Sequence, residues 1–146
     1  MYRIKKINWK NGSGEILGFC AIIPMLFAMF LVLTAAIQVG ITKQKMEYSA
    51  YSAGRAAAVS YSYSVAQTQA SGVAAECMES VGFIDSSTVY TTIEVIDNPN
   101  TWEKGHFLKC TVRADLQTVL PSMFNQGLNG TKETSIVMMI ENPSTN

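Results

Sequence analysis

The sequence predicts an α+β protein: a long N-terminal transmembrane helix continuing into an exterior domain of a second helix and a small antiparallel sheet of about three strands. Three observations predict it. Ile16 to Thr42 contains no Asp, Glu, Lys, Arg or His. Residues that favour helices follow it without interruption to about Val59. Beyond residue 86 the chain turns to segments rich in Val, Thr, Ile and Tyr, separated by turn residues. The 146 residues allow one ordinary domain. Apolar residues make up 48% and charged residues only 15%, where about 25% is typical. The mean hydropathy of +0.14 is high for a small soluble protein. Eleven basic residues balance eleven acidic ones. A chain without basic excess is a poor candidate for binding nucleic acid.

The first element is a basic leader, residues 1–14, with Arg3, Lys5, Lys6 and Lys10. The apolar run, residues 15–42, follows. A helix of about 20 apolar residues crosses a bilayer, and roughly 27 uncharged ones would be on the order of 40 Å long, which calls for tilt or protrusion. A helix apolar on every side cannot be wrapped by a domain this small. The run is too long for the 7–15-residue core of a secretory signal, and Ala35-Ala36-Ile37 is only a weak cleavage candidate inside it. A retained single-pass anchor is the expectation. The positive-inside rule puts the basic end in the cytoplasm and the C-terminal domain outside the cell membrane.

Within the anchor, Pro24 lacks an N–H and crowds the carbonyl of Cys20, so a kink is expected. Gly14 and Gly18, and Ala36 and Gly40, are small residues four apart, a spacing that admits a neighbouring helix. Thr34 and Gln38 share a face and can hydrogen-bond across helices. Residues 43–64 read as an extension of the helix to about Val59, then a bend through the alternating Tyr and Ser of Ser60 to Ser64. Ala50, Ala53, Gly54, Ala57 and Ala58 form a narrow face suited to close packing on another helix or on the protein's own domain. Tyr51 and Arg55 are spaced to stack.

The exterior domain is expected over residues 65–146. Ala66, Ala70, Val73, Ala74, Cys77, Met78 and Val81 recur at helical spacing, and Gly82 is a natural stop. Ser87 to Ile96 reads as a strand, and Asp97 to Asn100 as a turn. His106 to Leu116 alternates, with Leu108, Cys110, Val112 and Ala114 on one face and Lys109, Thr111 and Arg113 on the other. Val119 to Leu128, containing Pro121, is a short helix or loop. Asn129-Gly130 marks a turn, and Thr134 to Glu141 a final strand.

No catalytic constellation is present. One histidine, His106, cannot supply a usual zinc set. There is no GxSxG turn and no phosphate loop. Asp97, Asn98 and Asn100 lack the distal Glu of a calcium loop, so a solvated turn is the simpler reading. Neither a cofactor nor a metal is called for. Cys20 is an apolar packer within the anchor. Cys77 and Cys110 are both exterior and can form a disulfide in oxidising surroundings, joining the second helix to the middle strand; two buried free thiols are the alternative.

The ordered set of a basic leader, the glycine-containing junction Gly12 and Gly14, the segment FCAIIP with Phe19 and Pro24, and the Ala-rich stretch around Arg55 (Ala50, Ala53, Ala56, Ala57, Ala58) resembles the TadE-like family. These are pilin-like minor components of Tad-type pili and related secretion or conjugation machines. The resemblance covers about Gly12 to Val59 and is architectural beyond. It implies a structural or assembly subunit that contacts the bilayer and other pilin-like or assembly-platform membrane proteins. It also implies processing by a prepilin-type peptidase after Gly14 or Gly12, leaving a terminus at or near Glu15. The chain departs from the pattern at one point: pilin-like proteins usually carry a Glu five residues after the cleavage glycine, where this sequence has Phe19. Two other readings stand beside this one. The exterior domain can be a tethered ligand-binding or sensor module, or a membrane-bound hydrolase.

Overall fold

The computed structural model describes residues 12–82, 84, 86–98, 101–118 and 129–141. Residues 1–11 of the basic leader, the Val119 to Leu128 segment and Asn100 lie outside the described residues. Gly14 and Glu15 fall in the first turns of helix α1, but the Glu15 side chain also lies outside them.

The architecture is the expected α+β arrangement. Helix α1 runs unbroken from Gly12 to Ala58, through Pro24. Helix α2 spans Tyr63–Glu79. Strands β1 (Tyr90–Val95), β2 (Phe107–Leu116) and β3 (Gly130–Met139) form one antiparallel sheet in the order β1-β2-β3.

The bend between the helices falls at Ser60 to Ser62, within the expected segment. Ser60 holds it: its hydroxyl donates to the Ala56 carbonyl at 2.8 Å and to Gln69 Oε1 at 2.7 Å, and its carbonyl accepts the Trp102 indole N–H at 3.0 Å. Ser62 has extended dihedrals, and its side chain accepts the Val65 N–H, so α2 is capped and starts two residues earlier than Val65. Ala66, Ala70, Ala74 and Met78 form the buried stripe of α2. It meets the stripe Ala50, Ala53 and Ala57 of α1 in one core cluster. Alanine on both sides lets the two backbones come close, and Ser49 donates across the seam to the Ala74 carbonyl at 3.3 Å.

The sheet covers the other side of that seam. Ile93 and Val95, then Leu108, Cys110 and Val112, and finally Ile140 supply its buried face. Ile136 and Met138 of β3 are half-buried against the same cluster. The extension of α1 is therefore part of the core of the C-terminal α+β unit, not a link leading to it.

Two strand boundaries differ from the sequence reading. The first strand was expected from Ser87, but Ser86–Thr88 form a 3-10 turn and pairing begins at Tyr90. The Thr88 hydroxyl accepts the Asp115 N–H at 3.1 Å, taking a place a strand carbonyl would fill. The last strand starts at Gly130 rather than Thr134. Its polar first half is held on the outer face by cross-strand partners: Glu133 accepts from Arg113 Nε at 2.9 Å, and the Thr131 hydroxyl donates to Asp115 at 2.7 Å.

Candidate functional site

The features that bear on function lie along α1, which passes through two environments. Ile16 and Gly18 to Thr34 are exposed or, at Leu31 and Thr34, half-exposed, although almost all are apolar. Only 6% of the most apolar stretch is buried. The stretch is therefore not a core helix of this chain's own domain, whose apolar surface would be covered. From Ala35 onward one face of the helix is inside the protein. Ala35, Gln38, Thr42, Met46, Ser49, Ala50, Ala53, Ala57 and Ala58 are all buried. Their spacing of three and four traces one side of the helix.

The sequence-predicted packing residues therefore divide. Gly18, Pro24, Ala36 and Gly40 lie on the exposed surface, and the positions of Gly18 and Gly40 have open space around them. Ala50 and Gly54 pack inside the chain's own domain, which decides between the two partners left open for that face. Gly54 is required by close approach: a Cβ there would stand 3.1 Å from Ile136 Cγ2, 3.3 Å from Met138 Sδ and 3.5 Å from Cys110 Cβ. Arg55 is not a packing residue. It points outward and forms an ion pair with Glu141, not a stack with Tyr51. The Glu141 N–H donates to the Ala58 carbonyl at 2.8 Å, so the residue after β3 is tied to the end of α1 twice.

The expected interhelical role of Thr34 and Gln38 is corrected in the same way. The Thr34 hydroxyl donates to the Phe30 carbonyl of its own helix at 2.9 Å, and Gln38 is buried within the chain.

Of the two states left open for Cys77 and Cys110, a disulfide or two free thiols, the structure has the free thiols. The register explains why. Cys110 sits on the central strand with its side chain against α1 at Gly54, whereas Cys77 is half-buried on α2, outside the Ala66–Met78 stripe. Burial pushes the Cys110 thiol up to about 11 by desolvating its thiolate.

The polar groups of the β1–β2 connection serve structure. Asp97 accepts the Phe107 N–H at 3.0 Å, and His106 lies between Asp97 and Glu103 at 3.8 and 3.6 Å. Gly105 takes φ +95°, which the turn requires. Among the described residues no three His, Cys, Asp or Glu side chains gather as a metal site.

Sequence reasoning missed one feature at the end of the domain nearest the bare stretch of α1. A cleft of about 250 Å³ lies between α1 and the end of the sheet, lined by Val39, Thr42, Lys43, Met46, Leu116, Lys132, Glu133 and Thr134. Only the register of β3 brings Lys132 to α1, and no local pattern signals it.

Comparison with protein families, curated proteins and solved structures gives no match to this chain.

Proposed function

We propose that this protein is a membrane-anchored, pilin-like structural or assembly subunit of a pilus, secretion or conjugation apparatus. Its N-terminus is cytoplasmic and its α+β domain extracytoplasmic. The observation that carries the reading is the division of α1 into a bare apolar half and a half built into a domain core. Ile16 to Thr34 spans roughly 28 Å at about 1.5 Å per residue, which matches a hydrocarbon core of about 30 Å. The remainder of the uncharged run, from Ala35, has one face inside the protein, which accounts for the excess length without a large tilt. Cleavage as a signal at Ala35-Ala36-Ile37 would remove Ala35 from that interior, which supports a retained anchor.

The charges support the orientation. Four of the eleven basic residues precede the run with a single acid, Glu15, while the domain beyond it has seven basic and ten acidic residues. The TadE-like resemblance over Gly12 to Val59 supports membership of a pilin-like machine, with the small residues Gly18, Ala36 and Gly40 as contacts for neighbouring helices and leader cleavage next to Gly14.

Protease added to intact cells is expected to digest the domain; protection until lysis would place the domain inside and end the topological claim. Site-directed cross-links from Gly18→Cys or Gly40→Cys to other membrane subunits test the assembly role. A monomeric anchor whose domain is stabilised by a small ligand would favour the sensor reading. The mass of the mature chain tests processing, since an intact Met1 terminus excludes cleavage.

A further inference from the structure

We infer that the cleft between α1 and the sheet end holds the phosphate-bearing headgroup of an anionic phospholipid from the leaflet beneath the domain. The inference rests on the membrane-spanning reading of α1. Position is the first argument. The cleft spans Val39 to Met46, where the uncharged run gives way to Lys43 and Lys45. With Ile16 to Thr34 across the hydrocarbon core, Val39 lies about 7 Å beyond it and Lys43 about 13 Å, so the cleft opens at the outer edge of the headgroup layer, within reach of a lysine stem directed back toward it.

Charge is the second. The domain is acidic as a whole, yet two lysines, Lys43 and Lys132, line this one cleft. Glu133, which also lines the cleft, is engaged by Arg113 at 2.9 Å; Glu47 faces Lys43 itself at 4.0 Å on the exposed helix surface, a contact that water leaves weak and that a phosphate would displace. A phosphate diester would meet two ammonium groups there.

The third argument is an unpartnered polar group. Thr42, 1% exposed, lines the cleft, and its Oγ1 has no hydrogen-bond partner. A buried hydroxyl in that state is costly; its oxygen is closed to solvent as it stands, and a turn of the side chain into the cleft would offer it to an oxygen-rich ligand. The remaining lining, Val39, Met46 and Leu116, is apolar and suits the glycerol ester and first methylenes of a lipid. A soluble phosphate would gain nothing from that apolar wall.

The test uses the full chain in nanodiscs of phosphatidylcholine with a minor fraction of phosphatidylglycerol. Bound lipid is read by native mass spectrometry after transfer to detergent. One retained phosphatidylglycerol per chain is expected. Each lysine near an anionic surface is worth roughly fivefold, so K43Q/K132Q should weaken retention about thirtyfold, while K104Q at the far end of the domain leaves it unchanged. T42V, nearly isosteric, should weaken it several-fold without unfolding the domain. No retained lipid, equal retention by K43Q/K132Q, or equal loss in K104Q would overturn the proposal. Displacement of the lipid by millimolar inorganic phosphate would also overturn it, in favour of a soluble anion. Failure of the chain to enter nanodiscs of phosphatidylcholine alone is a separate outcome, which removes the anchor and the lipid site with it. Insertion without lipid discrimination removes only the site.

Discussion

Substitution of Gly54 is the sharpest probe of how the domain is built on its helix. Gly54 lies mid-helix, where glycine costs about 1 kcal/mol relative to alanine. It is kept because the sheet lies against it: the added Cβ would sit 3.1 Å from Ile136 Cγ2 and 3.3 Å from Met138 Sδ. Both neighbours are half-buried and belong to β3, at the sheet's end in strand order, so they can yield by a few tenths of an ångström. Overpacking of this kind costs about 1–3 kcal/mol. For G54A the helix gain offsets most of that cost, and the net loss should be no more than about 1 kcal/mol. G54V adds two further methyls and recovers less helix propensity, so its net loss should be about 2–3 kcal/mol. For a domain of about 100 residues that is a fall in Tm of roughly 10–20 °C. The assay is thermal unfolding of the full chain in micelles, followed by Trp102 fluorescence in a W9F background. Trp102 packs against the same core cluster and edge-on to Tyr63, so it reports domain unfolding. If G54V melts within about 2 °C of the parent, against the roughly 10 °C expected, the sheet is not seated on α1 at this point. Loss of assembly with an unchanged melt would place another helix there instead.

Three further outcomes are expected. Gln67 bonds the outer edge of β1 like an adjoining strand, donating to the Thr91 carbonyl at 2.6 Å and accepting the Ile93 N–H at 3.2 Å, so Q67A should cost about 1–3 kcal/mol and speed hydrogen exchange at Ile93. E141Q breaks an ion pair whose members are about half exposed, so it should cost at most about 1 kcal/mol in urea unfolding, a difference that fades in 1 M salt. The Cys110 thiol, raised from 9.0 to about 11, is neutral in both folded and unfolded chains below pH 9; above that the unfolded chain ionises first, so stability falls between pH 9 and 11 by about 2–3 kcal/mol. C110A should lack that slope, and at pH 8 an alkylating reagent should label the half-buried Cys77 well before Cys110.

The helices and the sheet were legible because their patterns are local. An uninterrupted run without charge, an alanine every four residues and alternation from Leu108 to Ala114 each need only a short window. The boundaries that moved depend on groups distant in sequence. The β3 start at Gly130 relies on Arg113 and Asp115 across the sheet, and the late start of β1 relies on Thr88 receiving an N–H from β2. The choice between a disulfide and two free thiols stayed open for the same reason. Two exterior cysteines are compatible with a bond, but whether Cys110 faces α1 or α2 is fixed by the register of β2. The cleft could not be read at all, since Lys43 and Lys132 meet only after β3 is paired.

The division of α1 also limits how such a subunit can join others. The Ala50 to Ala58 face, the most obvious helix-packing surface in the sequence, is consumed by α2 and the sheet. Opening it to a partner would expose Ile93, Leu108 and Val112, burial of each of which is worth about 1.5–3 kcal/mol. On the proposed reading, a partner helix in the bilayer would be confined to the bare half of α1 and its margin, where Gly18, Ala36 and Gly40 are small residues. Van der Waals packing at small residues drives association there, because lipid offers no hydrophobic gain. Because α1 passes unbroken from that half into the domain core, a rotation imposed in the bilayer turns the domain with it. On the proposed reading, contacts made in the membrane would thereby set which face of the sheet the domain presents to its surroundings.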